Sequence, residues 1–203
     1  TALAGSNAVQ QGGHTLWLGA GTYSEPLSVG VAHSGTALAP NTVAASNGLA
    51  AGSVLLQRSL NDYHSVFDSC SHLVVDGLLL RQSSEYGKGL HMKGTTSGIV
   101  LRNCIRVGGS EAVRLESTCQ AVFLNSLFFG SHLNYSLLLY GTAAATNCIL
   151  LNNSGGGAYF YSSRASFDHC CFYANADSAL YEVASASRLN TPEEINSLPS
   201  LSG

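Results

Sequence analysis

The stretch that decides the fold is Ile99–Val107, with the sequence IVLRNCIRV, because three later stretches repeat its pattern. Each copy has a polar residue at its centre, and successive centres are 22 residues apart. An earlier copy, His72–Leu80 (HLVVDGLLL), has its centre 27 residues before the next one, and we assign the extra five residues to a longer loop at 83–87. The later copies are Ala121–Phe129 (AVFLNSLFF), Ala143–Leu151 (AAATNCILL) and Ala165–Tyr173 (ASFDHCCFY).

Apolar residues alternate within each copy, and alternation with a period of two indicates β-strands rather than helices. A unit of 22 residues is too small to bury its own apolar face, so the units must stack on one another. The pattern therefore predicts a parallel β-solenoid. The predicted inward rows are Val74, Leu101, Phe123, Ala145 and Phe167; Leu78, Ile105, Leu127, Ile149 and Cys171; and Leu80, Val107, Phe129, Leu151 and Tyr173.

The central polar residues suggest a ladder of side-chain hydrogen bonds along the solenoid. Asn and Asp side chains bond to local backbone in bends, and stacked amides can also bond to one another. We expect this ladder to contain Asp76, Asn103, Asn125, Asn147 and His169.

The same alternation predicts an outward stripe on the strand that follows each bend. It is mostly apolar, so we expect a loop, the residues before Gly12, a partner or a second copy to cover it. The stripe contains Leu79, Arg106, Phe128, Leu150 and Phe172.

Charge is scarce: 10% of the 203 residues are Asp, Glu, Lys or Arg, against about 25% in an average domain. That composition argues against a disordered chain, a coiled coil and, with a net charge of −3, a nucleic-acid-binding protein. No apolar segment is long enough to predict a membrane span. The first residues do not resemble a signal peptide, so we expect a mature form or a module of a longer polypeptide.

Six cysteines are too few for a disulfide scaffold and show no CxxC spacing, so we expect buried free thiols and no metal site of the zinc type. Cys148 and Cys170 are one repeat apart and would lie on adjacent coils, within possible reach of each other. The acidic residues are scattered, so a calcium site is conceivable but has no sequence support, and no cofactor is predicted.

Motifs before the repeats are typical of one family of solenoids. They are Gly12–Leu18 (GGHTLWL), Gly21–Leu27 (GTYSEPL), His33–Thr36 (HSGT) and Ala39–Val43 (APNTV). With the VVDGL segment Val74–Leu78, they make the chain resemble the right-handed parallel β-helices of the pectin-lyase-like superfamily over residues 12–185. The resemblance implies an all-β fold, a location outside the cell or at its surface, and polysaccharide as the partner.

The last residues depart from the repeat. Thr191, Pro192 and Glu194 form the start signal of a helix, which Pro199 keeps short. We therefore expect one domain, 1–203, with coils over 12–185 and a tail with a short helix over 186–203. Since an open solenoid end exposes strand edges, we expect more chain, a partner or another copy to cover it.

The best catalytic candidates are Lys93 and Arg114 on successive coils, with His91 and Glu116 beside them. A polysaccharide lyase removes a proton next to a uronate carboxylate while that charge is neutralised, and Lys as base with Arg as charge partner suits this chemistry. The arrangement resembles the alginate-lyase and chondroitinase-B-like lyases. The calcium-binding acids of those enzymes are not evident near Lys93.

Tyrosines cluster late in the chain, and the repeat of 22 would place Leu115, Leu137, Tyr159 and Tyr181 in one inward column. If the alternation is shifted by one residue, Tyr159 and Tyr161 instead face outward, where they can stack on sugar rings.

Two functions therefore remain open. The first is an extracellular module that binds or processes polysaccharide, with or without a lyase-like site. The second is a non-catalytic structural or adhesive module, a surface-fibre or filament subunit that assembles through coil ends or the apolar stripe.

Overall fold

The computed structural model describes residues 12–161 and 164–196, which wind into a stack of coils with up to three short strands each. A 3₁₀ turn, Val31–His33, follows the third strand, and an α-helix, α1, spans Pro192–Asn196. The strands are β1 (Thr15–Leu18), β2 (Gly21–Tyr23), β3 (Ser28–Val29), β4 (Asn41–Ala45), β5 (Val54–Arg58), β6 (Tyr63–Asp68), β7 (Ser71–Asp76), β8 (Leu79–Gln82), β9 (Lys88–Lys93), β10 (Ser97–Arg102), β11 (Ile105–Gly108), β12 (Glu111–Leu115), β13 (Gln120–Leu124), β14 (Leu127–Phe129), β15 (Leu137–Leu139), β16 (Thr142–Thr146), β17 (Ile149–Leu151), β18 (Ala158–Phe160), β19 (Ala165–Asp168), β20 (Cys171–Tyr173), β21 (Leu180–Glu182) and β22 (Ser187–Leu189).

Every third strand joins the same sheet, which confirms the predicted parallel β-helix. Sheet A contains β1, β4, β7, β10, β13, β16 and β19 in that order, and sheet B contains β2, β5, β8, β11, β14, β17 and β20. Sheet C runs from β3 through β6, β9, β12, β15, β18 and β21 to β22. All pairs are parallel except β21 with β22, which is antiparallel.

The longer loop lies where the sequence predicts it, between β8 and β9, but it shifts the register by one residue from our alignment. Asp76 pairs with Arg102 on the next coil, so the position aligned with Asn103 belongs to Gly77. The predicted alignment of Asp76 is therefore wrong by one residue, but its carboxylate still joins the ladder. Gly77 has a φ of 72°, and the aligned residues Asn103, Asn125, Asn147 and His169 have φ between 48° and 54°. The bend therefore requires a left-handed residue, which Gly and Asn adopt at the lowest cost.

The polar ladder is real but uneven. Asn103 Nδ2 donates to Asp76 Oδ1 at 2.7 Å, while Asn125 Nδ2 to Asn103 Oδ1 and Asn147 Nδ2 to Asn125 Oδ1 are long, at 3.5 and 3.3 Å. His169 pairs through Nδ1 with Asp168 Oδ1 at 2.7 Å. The left-handed conformation is thus the stronger reason for Asn in this column.

The bend also inverts the alternation, so the predicted outward stripe is wrong at Arg106, Phe128 and Leu150, while Leu79 does face outward. In the copy Ile99–Val107, Leu101 points inward, Arg102 and Asn103 are both exposed, and Cys104 points inward again. Two consecutive outward residues move every later residue to the opposite face. The residues Leu80, Arg106, Phe128 and Leu150 are therefore buried, and those that face outward are Leu79, Ile105, Leu127 and Ile149 in one row and Val107, Phe129, Leu151 and Tyr173 in the next.

In sheet A the one-residue shift places Val75, not Val74, in the inward row with Leu101, Phe123 and Ala145. These side chains join one continuous core that runs through all the coils. Inside it lies Arg106, which is 2% exposed and donates from Nη1 to the carbonyl of Leu80 at 3.3 Å. Its Nε and Nη2 have no hydrogen-bond partner among the described residues, and burial lowers the pKa of Arg106 to about 9.

The C-terminal end differs from the preceding coils. Helix α1 begins where the sequence predicts it: Thr191 Oγ1 accepts from the Glu194 amide at 3.2 Å, and Glu194 Oε2 accepts from the Thr191 amide at 3.0 Å. Strand β22, which we did not predict, reverses direction and pairs with β21. It thereby covers the edge of sheet C.

Replacing Asn125 tests why the bend column is rich in Asn. Asn125→Ala should lower the free energy of unfolding by about 1–2 kcal/mol, because Ala is strained in the left-handed conformation. Asn125→Gly should cost less than half as much, since Gly keeps the conformation and loses only long, exposed hydrogen bonds. Chemical denaturation measures both; an equal cost for the two variants would show that the side-chain ladder matters more than the conformation.

A second test concerns His64, which is buried between Leu56 and Ser65. Its Nε2 lies 2.8 Å from the Leu56 carbonyl and its Nδ1 lies 2.8 Å from Ser65 Oγ, an arrangement that suits the neutral ring. Burial, with the charge of Arg106 as a smaller cause, lowers the pKa of His64 from 6.5 to about 4. Between pH 6.5 and about 4, His64 is therefore protonated in the unfolded chain and neutral in the folded chain.

The contribution of neutral His64 to the free energy of unfolding should be complete above pH 6.5 and lost as the pH falls to about 4. It should amount to about 3 kcal/mol, at 1.36 kcal/mol for each pKa unit. In denaturation curves measured between pH 7 and 4, His64→Gln should flatten the loss of stability by roughly this amount. The exposed His132→Gln is the matched control, and equal slopes for wild type and His64→Gln would refute the assignment.

Candidate functional site

The outer face of sheet C gathers the predicted catalytic residues. Strand alternation and the register place them in two adjacent outward rows. Within each row, successive residues come from successive coils and lie about 4.8 Å apart. One row contains Val66, His91, Arg114, Leu138, Tyr159 and Tyr181. The other row runs Asp68, Lys93, Glu116, Tyr140 and Tyr161.

His91, on β9, contacts a side chain on each of the two neighbouring coils of this face. Its Nε2 lies 2.9 Å from Glu116 Oε1, so the predicted pair of residues is in contact. Its ring stacks on Tyr63, with centroids 4.3 Å apart and planes at 24°. Lys88 Nζ lies 5.0 Å from the centre of the same Tyr63 ring, in a cation–π contact.

The two predicted cations already have carboxylate partners. Lys93 Nζ lies 3.1 Å from Asp68 Oδ2, and the hydrogen bond from Lys93 is the main reason that the pKa of Asp68 is lowered. Arg114 donates from Nε and Nη2 to the two carboxylate oxygens of Glu111, at 3.0 and 3.1 Å. Glu111 is buried, and its hydrogen bonds to Arg114 raise the pKa of that guanidinium, which stays charged.

Tyr159 and Tyr161 face outward, so the second of the two orientations considered from the sequence is the one observed. The predicted column with Leu115 and Leu137 is wrong: Tyr159 pairs with Leu138, because β12 and β15 are offset by 24 residues and β15 and β18 by 21. The ring of Tyr159 packs parallel to Tyr181, with centroids 5.3 Å apart and an angle of 11°.

Two more tyrosines complete an aromatic cluster, defined here as Tyr135, Tyr140, Tyr159, Tyr161 and Tyr181. The rings of Tyr135 and Tyr140 each lie 5.7 Å from Tyr159, so the faces of Tyr159 are largely occupied by other rings. Tyr161 lies at the rim of the cluster, with the Arg164 guanidinium 6.0 Å from its ring centre. Tyr161 is therefore better placed than Tyr159 to offer a ring face to a ligand.

The phenol groups of Tyr63, Tyr135 and Tyr159 remain protonated at neutral pH. Burial raises the pKa of Tyr63 to about 12, with the charge of Glu111 as the next cause. Burial and a hydrogen bond to Asp177 raise the pKa of Tyr135 to about 12, and burial also raises the pKa of Tyr159. Protonated phenols can donate to ligand oxygens as well as accept from hydroxyl groups.

Two cations on this face have no carboxylate within ion-pair distance in the described part of the chain. Lys88 lies against Tyr63 at one end. Arg164, at the other end, donates from Nη1 to the Tyr140 carbonyl at 2.9 Å. They leave positive charge at both ends of a face whose other cations, Lys93, Arg114 and Arg188, are ion-paired.

Sequence reasoning found Lys93, Arg114, His91 and Glu116 but missed their partners. Asp68 and Tyr63 belong to β6, which precedes the aligned repeats, and a register is needed to place them opposite Lys93 and Lys88. Glu111 was missed because it lies three residues before Arg114 on β12, a spacing that strict alternation assigns to opposite faces of a strand. No group of three His, Cys, Asp or Glu residues able to hold a metal ion occurs within 12–161 and 164–196.

A second surface, the apolar face, is the outer side of sheet B from β11 to β20. It consists of the two outward rows that follow the bends, and Ile149 and Tyr173 in them are 43% and 68% exposed. A groove of about 330 Å³ runs between these rows and the Asn column, with Ala51, Ile105 and Leu127 in its walls. The apolar face carries no charged side chain in these rows from β11 to β20.

Among the described residues, no helix has the length and apolar character needed to cross a membrane. Comparison with known proteins adds no relative: no family, no curated protein and no solved structure matches this chain.

Proposed function

We propose that this chain is an extracellular β-helix module, similar to the pectin-lyase-like proteins, that binds acidic polysaccharide along the outer face of sheet C. The observation that carries the proposal is the aromatic cluster, which continues without a break into the His91, Lys93 and Arg114 region of the same face. Sugar rings pack on aromatic side chains through their apolar faces, and their hydroxyl groups bond to the polar groups nearby.

The geometry of the solenoid suits a polymer. Equivalent side chains repeat about every 4.8 Å along the axis, which is close to the length of one pyranose unit in an extended chain. A polysaccharide lying along sheet C would therefore meet a similar row of groups at each unit. From Lys88 on β9 to Arg164, just before β19, the ligand would pass four coils.

The preference for an acidic polymer rests on Lys88 and Arg164. Their charges have no carboxylate partner, so a ligand carboxylate can pair with them without breaking an existing ion pair. Phenol groups that remain protonated add hydrogen-bond donors beside these charges. Electrostatic attraction of this kind weakens as salt is added, because it acts at a solvent-exposed surface.

Binding suits this face better than cleavage. A lyase needs a cation that is free to neutralise the uronate carboxylate. Arg114, the predicted charge partner, already donates hydrogen bonds to both carboxylate oxygens of Glu111. A lyase also needs a base, and Lys93 is ion-paired with Asp68 while Tyr63 has a raised pKa. Incubation with a panel of uronate polymers should release no unsaturated product; its release, and its loss in Lys93→Ala, would instead establish the lyase.

Substitutions on sheet C should weaken binding. Tyr161→Ala and Lys88→Ala should each lower the affinity for polygalacturonate or alginate about fivefold, since losing one aromatic or ionic contact costs about 1 kcal/mol. Affinity electrophoresis or calorimetry at low salt measures the change. The effect of Lys88→Ala should shrink as salt is raised, while that of Tyr161→Ala should persist.

The matched controls are Tyr173→Ala and Arg81→Ala, which remove an exposed tyrosine and an exposed cation from the outer side of sheet B. They should leave the affinity unchanged. Equal losses for the sheet B and sheet C variants, or no binding to any acidic polymer in the panel, would contradict the proposal.

A second candidate function is assembly of copies of this chain through the apolar face. The observation in its favour is exposed apolar area without charge, for which water is a poor neighbour. Two copies related by a two-fold axis would place these rows against each other with no unpaired charge between them.

This candidate predicts that the mass measured by sedimentation increases with concentration and that Ile149→Lys abolishes the increase. A buried lysine without a partner would oppose the contact. Val122→Lys, on the outer side of sheet A, is the control and should assemble like the wild type. A monomer at all concentrations would exclude assembly and leave the polysaccharide proposal standing.

A further inference from the structure

The position that follows each bend forms an inward column whose side chains are small except at Leu78. Backbone hydrogen bonds from Ile149 to Ser126 and from Cys171 to Cys148, each 2.9 Å, fix its register from coil to coil. Its members are Leu78, Cys104, Ser126, Cys148 and Cys170.

The thiols of this column donate hydrogen bonds to backbone carbonyls at the bend. Cys148 Sγ donates to the Thr146 carbonyl at 3.4 Å and Cys170 Sγ donates to the Asp168 carbonyl at 3.4 Å, each two residues back. Ser126 Oγ makes the equivalent bond to the Leu124 carbonyl at 2.8 Å. The native chain therefore already uses serine in this role, so a Cys→Ser change here should preserve the bend.

Only at the C-terminal end of this column do two cysteines lie on adjacent coils. Thr146 pairs with Asp168 and Ile149 pairs with Cys171, so Cys148 and Cys170 stand opposite each other in register. Neighbouring strands are about 4.8 Å apart, within the range of Cα separations that disulfides span.

We propose that Cys148 and Cys170 are a modification site: a dithiol that closes to a reversible disulfide between the last two coils of the solenoid. The other cysteines do not offer this geometry. Cys104 has Leu78 and Ser126 as its neighbours in the column, and Thr96 separates Cys70 from Cys119. Cys171 is exposed on the outer side of sheet B.

The oxidant is a small disulfide such as oxidised glutathione. The Cys170 thiolate, which is partly exposed, attacks one glutathione sulfur; the glutathione S–S bond breaks and one glutathione leaves with a proton. The Cys148 thiolate then attacks the Cys170 sulfur and displaces the second glutathione. Two protein thiols are oxidised, one glutathione disulfide is reduced, and both protein protons end on glutathione.

The environment of the pair favours the second step over the first. The neighbouring Cys170 thiol lowers the pKa of the Cys148 thiol, which suits the attacking group of the second step. The neighbouring Cys148 thiol, together with burial, raises the pKa of Cys170, so the first step should speed up as the pH rises. The bond would tie down the coil of β19 and β20, which has a neighbouring coil on one side only within the described chain.

The experiment oxidises the full chain with glutathione disulfide, alkylates the remaining thiols in denaturant and counts the alkyl groups by mass spectrometry. The wild type should carry two fewer alkyl groups than its reduced form. Cys171→Ser should also lose two, Cys148→Ser should lose one and carry one glutathione as the trapped mixed disulfide, and Cys170→Ser should lose none. In thermal melts, oxidation should raise the unfolding midpoint of the wild type and leave that of Cys148→Ser unchanged.

The Ser variants first have to show the same circular dichroism and the same reduced midpoint as the wild type, as Ser126 leads us to expect. Full alkylation of the oxidised wild type would overturn the proposal. So would a link that Cys171→Ser abolishes, or one that joins two chains. Peptide mapping without reduction distinguishes these outcomes, because Arg164 lies between the two cysteines and trypsin separates them.

Discussion

One left-handed residue in each coil determines how this molecule presents its side chains. The chain turns from sheet A to sheet B through Gly77, Asn103, Asn125, Asn147 or His169, each with positive φ. The turn uses two outward residues in succession, so the strand after it has the opposite alternation to the strand before it. That inversion buries Arg106 in the core and exposes Ile149 on the outer side of sheet B. The two candidate surfaces both follow from this geometry and from the parallel pairing that stacks like residues on like.

The repeat in the sequence was sufficient to predict the parallel β-helix and the long loop before β9, and a separate start signal at Thr191–Glu194 predicted the short helix α1. It was not sufficient to predict which way side chains point, because strict alternation was carried through a bend that breaks it. The fixed repeat of 22 residues failed in sheet C for another reason. The turn before β15 is longer and the next turn shorter, so Tyr159 aligns with Leu138 rather than Leu137. Turn lengths on one side of a solenoid are independent of the spacing on the other sides.

For the candidate site too, the sequence predicted which residues come together but not the state of their charges. His91, Lys93, Arg114 and Glu116 were found because they lie on successive coils and carry ionisable groups. Their state could not be predicted, because it depends on side chains that reach them across coils, as Asp68 reaches Lys93 at 3.1 Å. Because of these ion pairs, we interpret the face as an ordered surface of paired side chains beside the aromatic cluster, and not as a set of free catalytic groups. The scarcity of charge in the sequence fits that interpretation, since few cations remain unpaired on this face.

Hydrogen exchange measured with and without a saturating acidic oligosaccharide tests the central claim most directly. The account predicts slower exchange in β9, β12, β15 and β18, whose outward residues form the proposed binding face, and no change in β11, β14 and β17. Backbone amides report the position of the ligand without any substitution in the chain. Protection confined to sheet B, or spread evenly over all three sheets, would contradict the assignment of ligand binding to sheet C.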